Sequence, residues 1–316
     1  MGKRFAILGL LFGAAIFGSS SRAQTPQGQG IEQARLRTND VRSDFRQKPL
    51  DIGINMDGSP VVTPGDLDLG IQAILKRREQ EQYFRLFGDA AGFYTNNVAL
   101  TKNNPQADSY FFADVGLTYQ RMVNENLQVE ATIRQALFRY NTYSQFDFES
   151  FNAGTGVSYV VKQAWDIMLS ARYNYERMTS GDIGSAFFSN NTITVGAQKT
   201  FPFANGNYAF AGAAAIFGFS SPLSSQRDEY GLFGGGHYNF TRKFTGDVYY
   251  RIASYCYTEG GRTDLNQTAV FSLAYLFNDY ARVTASVSLT SDRSNQSVYD
   301  YSVINAGGGL SFQYRF

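Results

Sequence analysis

The sequence predicts an all-β protein: a transmembrane antiparallel up-and-down β-barrel of about 12 strands, preceded by a short periplasmic helix. Three observations carry that prediction. From Phe84 onward apolar residues recur at every second position over long segments, the links between segments alternate between short and long, and aromatic residues gather at both ends of the apolar columns.

Composition narrows the class first. The chain has 316 residues with 28 Lys+Arg against 27 Asp+Glu, so no concentrated basic charge favours a nucleic-acid partner. A single Cys excludes an internal disulfide and a thiolate zinc cluster. The 27 Phe and 21 Tyr, with 31 Gly and only 7 Pro, favour extended structure and tight turns over helix.

The first segment reads as an address. Lys3 and Arg4 precede an uncharged apolar run over residues 5–18, and Ser21 and Ala23 stand where a signal peptidase reads small residues. Residues 1–23 are therefore assigned to a signal peptide, with the mature chain starting at Gln24. The run is too short for a membrane-spanning helix, which needs about 18 or more apolar residues, and no later run is long enough either, so membrane residence has to come through strands. Residues 24–82 form a periplasmic leader. Gln, Arg, Asp, Pro and Gly dominate 24–64, which reads as flexible. Over residues 67–82 Asp66 and Asp68 stand at the start, Lys76, Arg77 and Arg78 follow with Glu79 and Glu81 behind them, and Ile71, Ile74 and Leu75 share a face, predicting a short helix able to plug a pore, dock on a partner or simply lead into the first strand.

Residues 83–316 form the barrel. The first apolar column is Phe84, Leu86, Gly88, Ala90, Gly92 and Tyr94, with Arg85 and Asp89 on the other face. Strands follow around Phe111 to Tyr119, Leu127 to Leu137, Phe151 to Val161, Ile167 to Tyr175 and Ile193 to Ala197. A seventh strand, over residues 208–219, is rich in Ala and Phe on both faces and has no assignable register. Further columns run from Tyr230 to Phe240, Phe244 to Ile252, Ala269 to Phe277, Ala281 to Leu289 and Ile304 to Phe316. Links at 124–126, 163–166, 202–207, 241–243 and 278–280 are short. Those at 95–109, 177–189, 220–229, 256–266 and 291–300 are longer and polar, the alternation expected of periplasmic turns and outer loops. On this threading Tyr94, Tyr173, Tyr175 and Tyr230 fall at outer ends of lipid-facing columns. Tyr119, Tyr159, Tyr275, Phe277, Tyr314 and Phe316 are among those at inner ends, giving two aromatic girdles.

The terminal Leu310, Phe312, Tyr314 and Phe316, alternate apolar positions ending in Phe, resemble the closing strand of Gram-negative outer-membrane β-barrel proteins of the small 12-stranded, porin-like type. The resemblance implies a bacterial outer-membrane location with both termini periplasmic, outer-membrane lipid around the barrel, and recognition of these four residues by the barrel-assembly machinery. A helix ahead of twelve strands is also similar to the translocator unit of autotransporters, although the leader is far too short for a usual passenger. The strand number resembles the small acidic-oligosaccharide porins, whose lumenal Arg excess is not seen here.

Function is less legible. The only His, His237, falls in the lumen column with Asn239 beside it instead of a Ser, so it does not fit the hydrolases of this setting, and the chain is read as no enzyme. The lumen column holds Arg85, Arg134, Arg172, Arg251, Arg282 and Arg315 against Asp89, Asp114, Glu130, Glu176 and Asp247. Arg134, Arg172, Arg251 and Arg282, with Glu130, Glu176 and Asp247, are the candidates for a constriction, with salt-bridged filling of the lumen as the competing reading. Two functions follow: a passive channel for small hydrophilic solutes, or a structural or interaction barrel with a closed lumen that works through its loops or leader. No cofactor, metal or nucleic acid is expected, and the oligomeric state is not readable.

Overall fold

The computed structural model describes residues 26–41, 82–180 and 185–316. Twelve antiparallel strands close into one barrel in which every strand pairs with its sequence neighbours and the last pairs with the first. They are β1 Phe84–Thr95, β2 Asp108–Met122, β3 Leu127–Tyr140, β4 Phe148–Val161, β5 Ile167–Ser180, β6 Ala186–Pro202, β7 Tyr208–Ser221, β8 Arg227–Asn239, β9 Phe244–Tyr257, β10 Thr263–Leu276, β11 Ala281–Ser294 and β12 Tyr301–Arg315. The sequence-predicted count, order and pairing direction all hold. No helix among the described residues is long and apolar enough to cross a membrane.

Closure leaves no free sheet edge, because β1 and β12 pair from Arg85↔Arg315 to Thr95↔Asn305 and are locked at the bottom by mutual amide bonds between Phe84 and Phe316 of 3.1 and 2.9 Å. The close approach depends on glycine. Gly116 and Gly307 lie beneath the rings of Phe87 and Phe93, where a Cβ would overlap them. Alternation sorts the faces. Outward columns are apolar and exposed, with Leu232 at 63% and Leu310 at 60%, the reverse of a soluble protein's surface.

The five links at the end where β1 begins are tight. That between β6 and β7 turns on Asn205 and Gly206, both left-handed at φ 62° and 71°, a conformation that Gly and Asn adopt at least cost. The opposite end carries the one long link, residues 96–107 between β1 and β2, with links of five to seven residues beside it, and is called the long-loop end below.

Two sequence expectations change. The strands climb further than the apolar pattern showed, so much of 177–189, 220–229, 256–266 and 291–300 is strand and not loop. The rise is hidden because outward residues there turn polar, as at Asp228 and Ser254, and the contrast between faces is lost. The leader also differs. Helix α1, Pro26–Val41, lies within the stretch read as flexible, while the helix predicted over 67–82 falls almost wholly outside the described residues. For β7 the structure supplies the missing register: Ala213 pairs with Ala197 and Leu232, which turns Phe210 and Gly212 inward and the odd-numbered alanines outward.

Candidate functional site

The site is the lumen at the long-loop end, and α1 occupies it. Residues 31–38 of the helix are all buried, Ile31 and Arg37 completely. Their partners lie on widely separated walls. Arg37 donates to Asn305 of β12 and to Thr95 Oγ1 of β1 at 2.8 Å; Gln33 donates to the Tyr140 hydroxyl on β3. Glu32 meets Arg227 of β8 at 2.6 Å, and Arg35 donates to the Ser225 carbonyl at 2.8 Å in the link before β8. Since β1 and β8 stand five places apart around a ring of twelve, the helix bridges nearly opposite walls and crosses the lumen.

The helix meets two chemically different walls. On one side Ile31 and Ala34 pack against Tyr110, Phe112, Phe138, Phe148, Met178 and Phe188, where Phe138 and Phe148 stack at 4.3 Å. Burying Ile31 there contributes about 1.5–3 kcal/mol. On the other side lies a charged network. Arg227 is 3% exposed and binds Glu32 through Nη1, Glu229 through Nε at 2.9 Å and the Tyr257 hydroxyl at 2.8 Å, with its guanidinium 3.9 Å from the Tyr255 ring centre. Glu229 also accepts from Arg251 at 2.6 Å, and Arg262 pairs with Asp264 while lying 3.8 Å from the Tyr299 ring centre. Burial of this kind stays favourable only when each charge has a counter-charge and hydrogen bonds. Burial alone would raise the Glu32 carboxyl, but the guanidiniums of Arg227, Arg35 and Arg262 outweigh it and hold the group below the ordinary carboxylate range. Asp292, by contrast, accepts from Asn266 at 2.9 Å with one oxygen and leaves the other buried without a partner.

The seven constriction candidates all face the lumen but do not form one ring. Arg134 pairs with Asp114, Arg172 with Glu130 at 2.6 Å, and Arg251 with Glu229 and the Tyr255 hydroxyl. Glu176 accepts from Ser150 at 3.1 Å. Asp247 bonds His237 Nδ1 at 2.8 Å, while His237 Nε2 contacts Asn239 at 3.1 Å and its ring stacks on Tyr208. Arg282, near the short-turn end, has no ion pair among the described residues. The last strand keeps Leu310, Phe312, Tyr314 and Phe316 exposed on the outer face, aligned with Ala90, Gly88 and Leu86 of β1.

Sequence reasoning missed Glu32, Arg227, Glu229, Tyr257, Arg262, Asp264 and Asp292. All but Glu32 fell in segments read wholly or in part as loops, and Glu32 fell in the leader. One signal was available: residues 31–37, Ile-Glu-Gln-Ala-Arg-Leu-Arg, are mostly strong helix formers with Glu32 and Arg35 spaced for an i,i+3 pair, which the structure shows at 3.8 Å.

A family model described as a protein of unknown function (DUF3187) matches residues 54–187. No curated protein matches the sequence. Among solved structures, the COG4313 outer membrane channel from Pseudomonas putida F1 is similar over 80% of this chain and 100% of its own, at 10% identity and a TM-score of 0.52. The translocator domain of the autotransporter NalP from Neisseria meningitidis aligns over 75% of this chain and 90% of its own at 9% identity and a TM-score of 0.44. A KdgM porin aligns over 72% and 99% at 10% identity and 0.38. Closed topology and an exposed apolar exterior define the class: the chain has the fold of an outer-membrane β-barrel.

Proposed function

We propose that the protein is an outer-membrane channel for small solutes whose lumen is closed at the long-loop end by α1. The observation that supports this most directly is the bridging of opposite walls by a helix from outside the sheet, held by side-chain hydrogen bonds and by two ion pairs, Glu32 with Arg227 at 2.6 Å and Arg35 with Glu229 at 3.9 Å, instead of backbone pairing. Such contacts can open without breaking a single ladder bond of the barrel. The long-loop end then faces outward and the tight turns face the periplasm, as transmembrane barrels arrange them, placing Phe316 and the start of β1 on the periplasmic side. Exposed Tyr94, Tyr173 and Tyr230 at one end and Tyr275, Phe277, Tyr314 and Phe316 at the other serve as the two interfacial girdles. The four terminal apolar residues serve as the assembly signal. No catalytic role is proposed for His237, whose partners are Asp247 and Asn239.

The occupied lumen also favours a second reading, a closed barrel that acts as a structural or interaction unit. Planar-bilayer recordings of the mature chain, beside a chain lacking residues 24–41, separate the two. Current steps that are rare in the first and frequent in the second support a plugged channel. Silence from both, with heat-modifiable gel migration showing folded barrels, ends the channel reading in favour of the closed barrel.

A further inference from the structure

Helix α1 presents the lumen with the Glu32 carboxylate, the apolar Ile31 and Ala34, and the guanidiniums of Arg35 and Arg37, which lie over the rings of Phe188 and Tyr110. The Glu32 carboxylate sits on Arg227, beside the Tyr257 hydroxyl that the same guanidinium engages. Ile31 and Ala34 sit on the aromatic wall of Phe138, Phe148 and Phe188. The two features lie apart by about the width of a helix, on the order of 10 Å. If α1 left, Glu229 would lose the distant Arg35 at 3.9 Å and keep Arg227 and Arg251, whereas Arg227 would lose its 2.6 Å contact with Glu32 and keep only Glu229 as a carboxylate partner, while the aromatic wall would be wetted. Both costs are removed together by one kind of small molecule, a carboxylate head on an apolar tail.

We propose that the chamber is a binding site for amphipathic monocarboxylates, which compete with α1 for Arg227 and the aromatic wall; this rests on the reading of α1 as a displaceable plug. An uncharged molecule with the same tail gains the wall alone and leaves Arg227 short of a partner. A ligand that binds only the plug-free state shifts the equilibrium by its ratio of concentration to dissociation constant.

The test uses the full mature chain in which Cys256, exposed on the outer face, is replaced by Ser and the buried Ala34 by Cys, so that maleimide labelling reports departure of α1. Octanoate at ten times its dissociation constant is expected to raise the labelling rate about ten-fold, with 1-octanol giving no comparable rise. In Arg227→Gln the basal rate rises and the octanoate ratio falls to about one; Arg227→Lys, which keeps the cation, retains part of the effect and serves should the Gln variant not fold. Equal responses to octanoate and 1-octanol, or an undiminished ratio in a folded Arg227→Gln barrel, overturn the proposal. Conductance of the same preparations separates the two readings. Open channels with flat labelling refute the carboxylate site and leave the channel standing, whereas octanoate-driven labelling in a silent barrel supports the site and refutes the channel.

Discussion

Replacing Glu32 by Ala removes the carboxylate that joins α1 to Arg227 across 2.6 Å in a fully buried setting. Loss of one member of a buried ion pair costs about 3–5 kcal/mol, because the survivor is left without its counter-charge. Arg227 keeps Glu229 at 2.9 Å and the Tyr257 hydroxyl, so the lower end, about 3 kcal/mol, applies here. Within the helix, the better propensity of Ala offsets loss of the 3.8 Å Glu32–Arg35 pair, each worth only a few tenths of a kcal/mol. At about 1.4 kcal/mol per factor of ten, the ratio of plugged to unplugged barrels falls roughly 100-fold. Single-channel recording reads this as a rise in open probability of that order, while the barrel keeps its heat-modifiable migration, since no strand pairing involves Glu32. Removing both partners, Glu32→Ala with Arg227→Ala, should cost less than the sum of the single changes, the signature of direct coupling. An open probability for Glu32→Ala within two-fold of the parent, in a folded barrel, would refute the assignment of this pair as the latch.

Four further outcomes follow from the same geometry. Because the Glu32 carboxyl is held below its ordinary value of 4.5, the latch is at full strength above that pH and weakens as pH falls through the lowered value; open probability should rise as the pH falls below 4.5 and lose that rise in Glu32→Gln. Arg134→Ala leaves Asp114 buried without its guanidinium and should lower barrel stability by about 3 kcal/mol, measured by urea unfolding in detergent. Gly309→Val forces a side chain into the Ala90 carbonyl oxygen and Ala91 on the neighbouring strand, so the β1–β12 seam should fail to close and the folded gel band should be lost, whereas Gly92→Ala, with open space around its Cβ, should fold. Deleting Phe316 removes both the terminal side chain and the paired amide at Phe84, and should reduce the barrel assembled in cells, read by membrane fractionation.

The legible part of this protein was its wall. A strand with lipid on one side and a polar lumen on the other must alternate, so Phe111, Val115, Ile133 and Leu232 announce an outward face before any coordinate is known. The same rule failed in two places for physical reasons. In β7, small residues on both faces give no contrast, and only pairing with β6 and β8 sets the register. At the upper ends of β2, β3 and β4 the inward face is apolar, at Tyr110, Phe112, Phe138 and Phe148, because its neighbour is not water but Ile31 and Ala34 of α1.

By itself the sequence determined the fold class and the number and direction of the strands, since each follows from a period of two and from local turn chemistry, whereas the long links it predicted over 177–189, 220–229 and 256–266 are short links between longer strands. What only the tertiary structure decided was the state of the lumen. Arg227 and Glu229 come from β8, Arg251 from β9, Arg262 from the link between β9 and β10, and Glu32 from a helix nearly two hundred residues away from its partner in sequence. Ion pairs across such separations leave no periodic trace in the chain. They exist because closure of the sheet brings distant segments around one axis, and a buried guanidinium there requires whichever carboxylate the closed barrel places beside it.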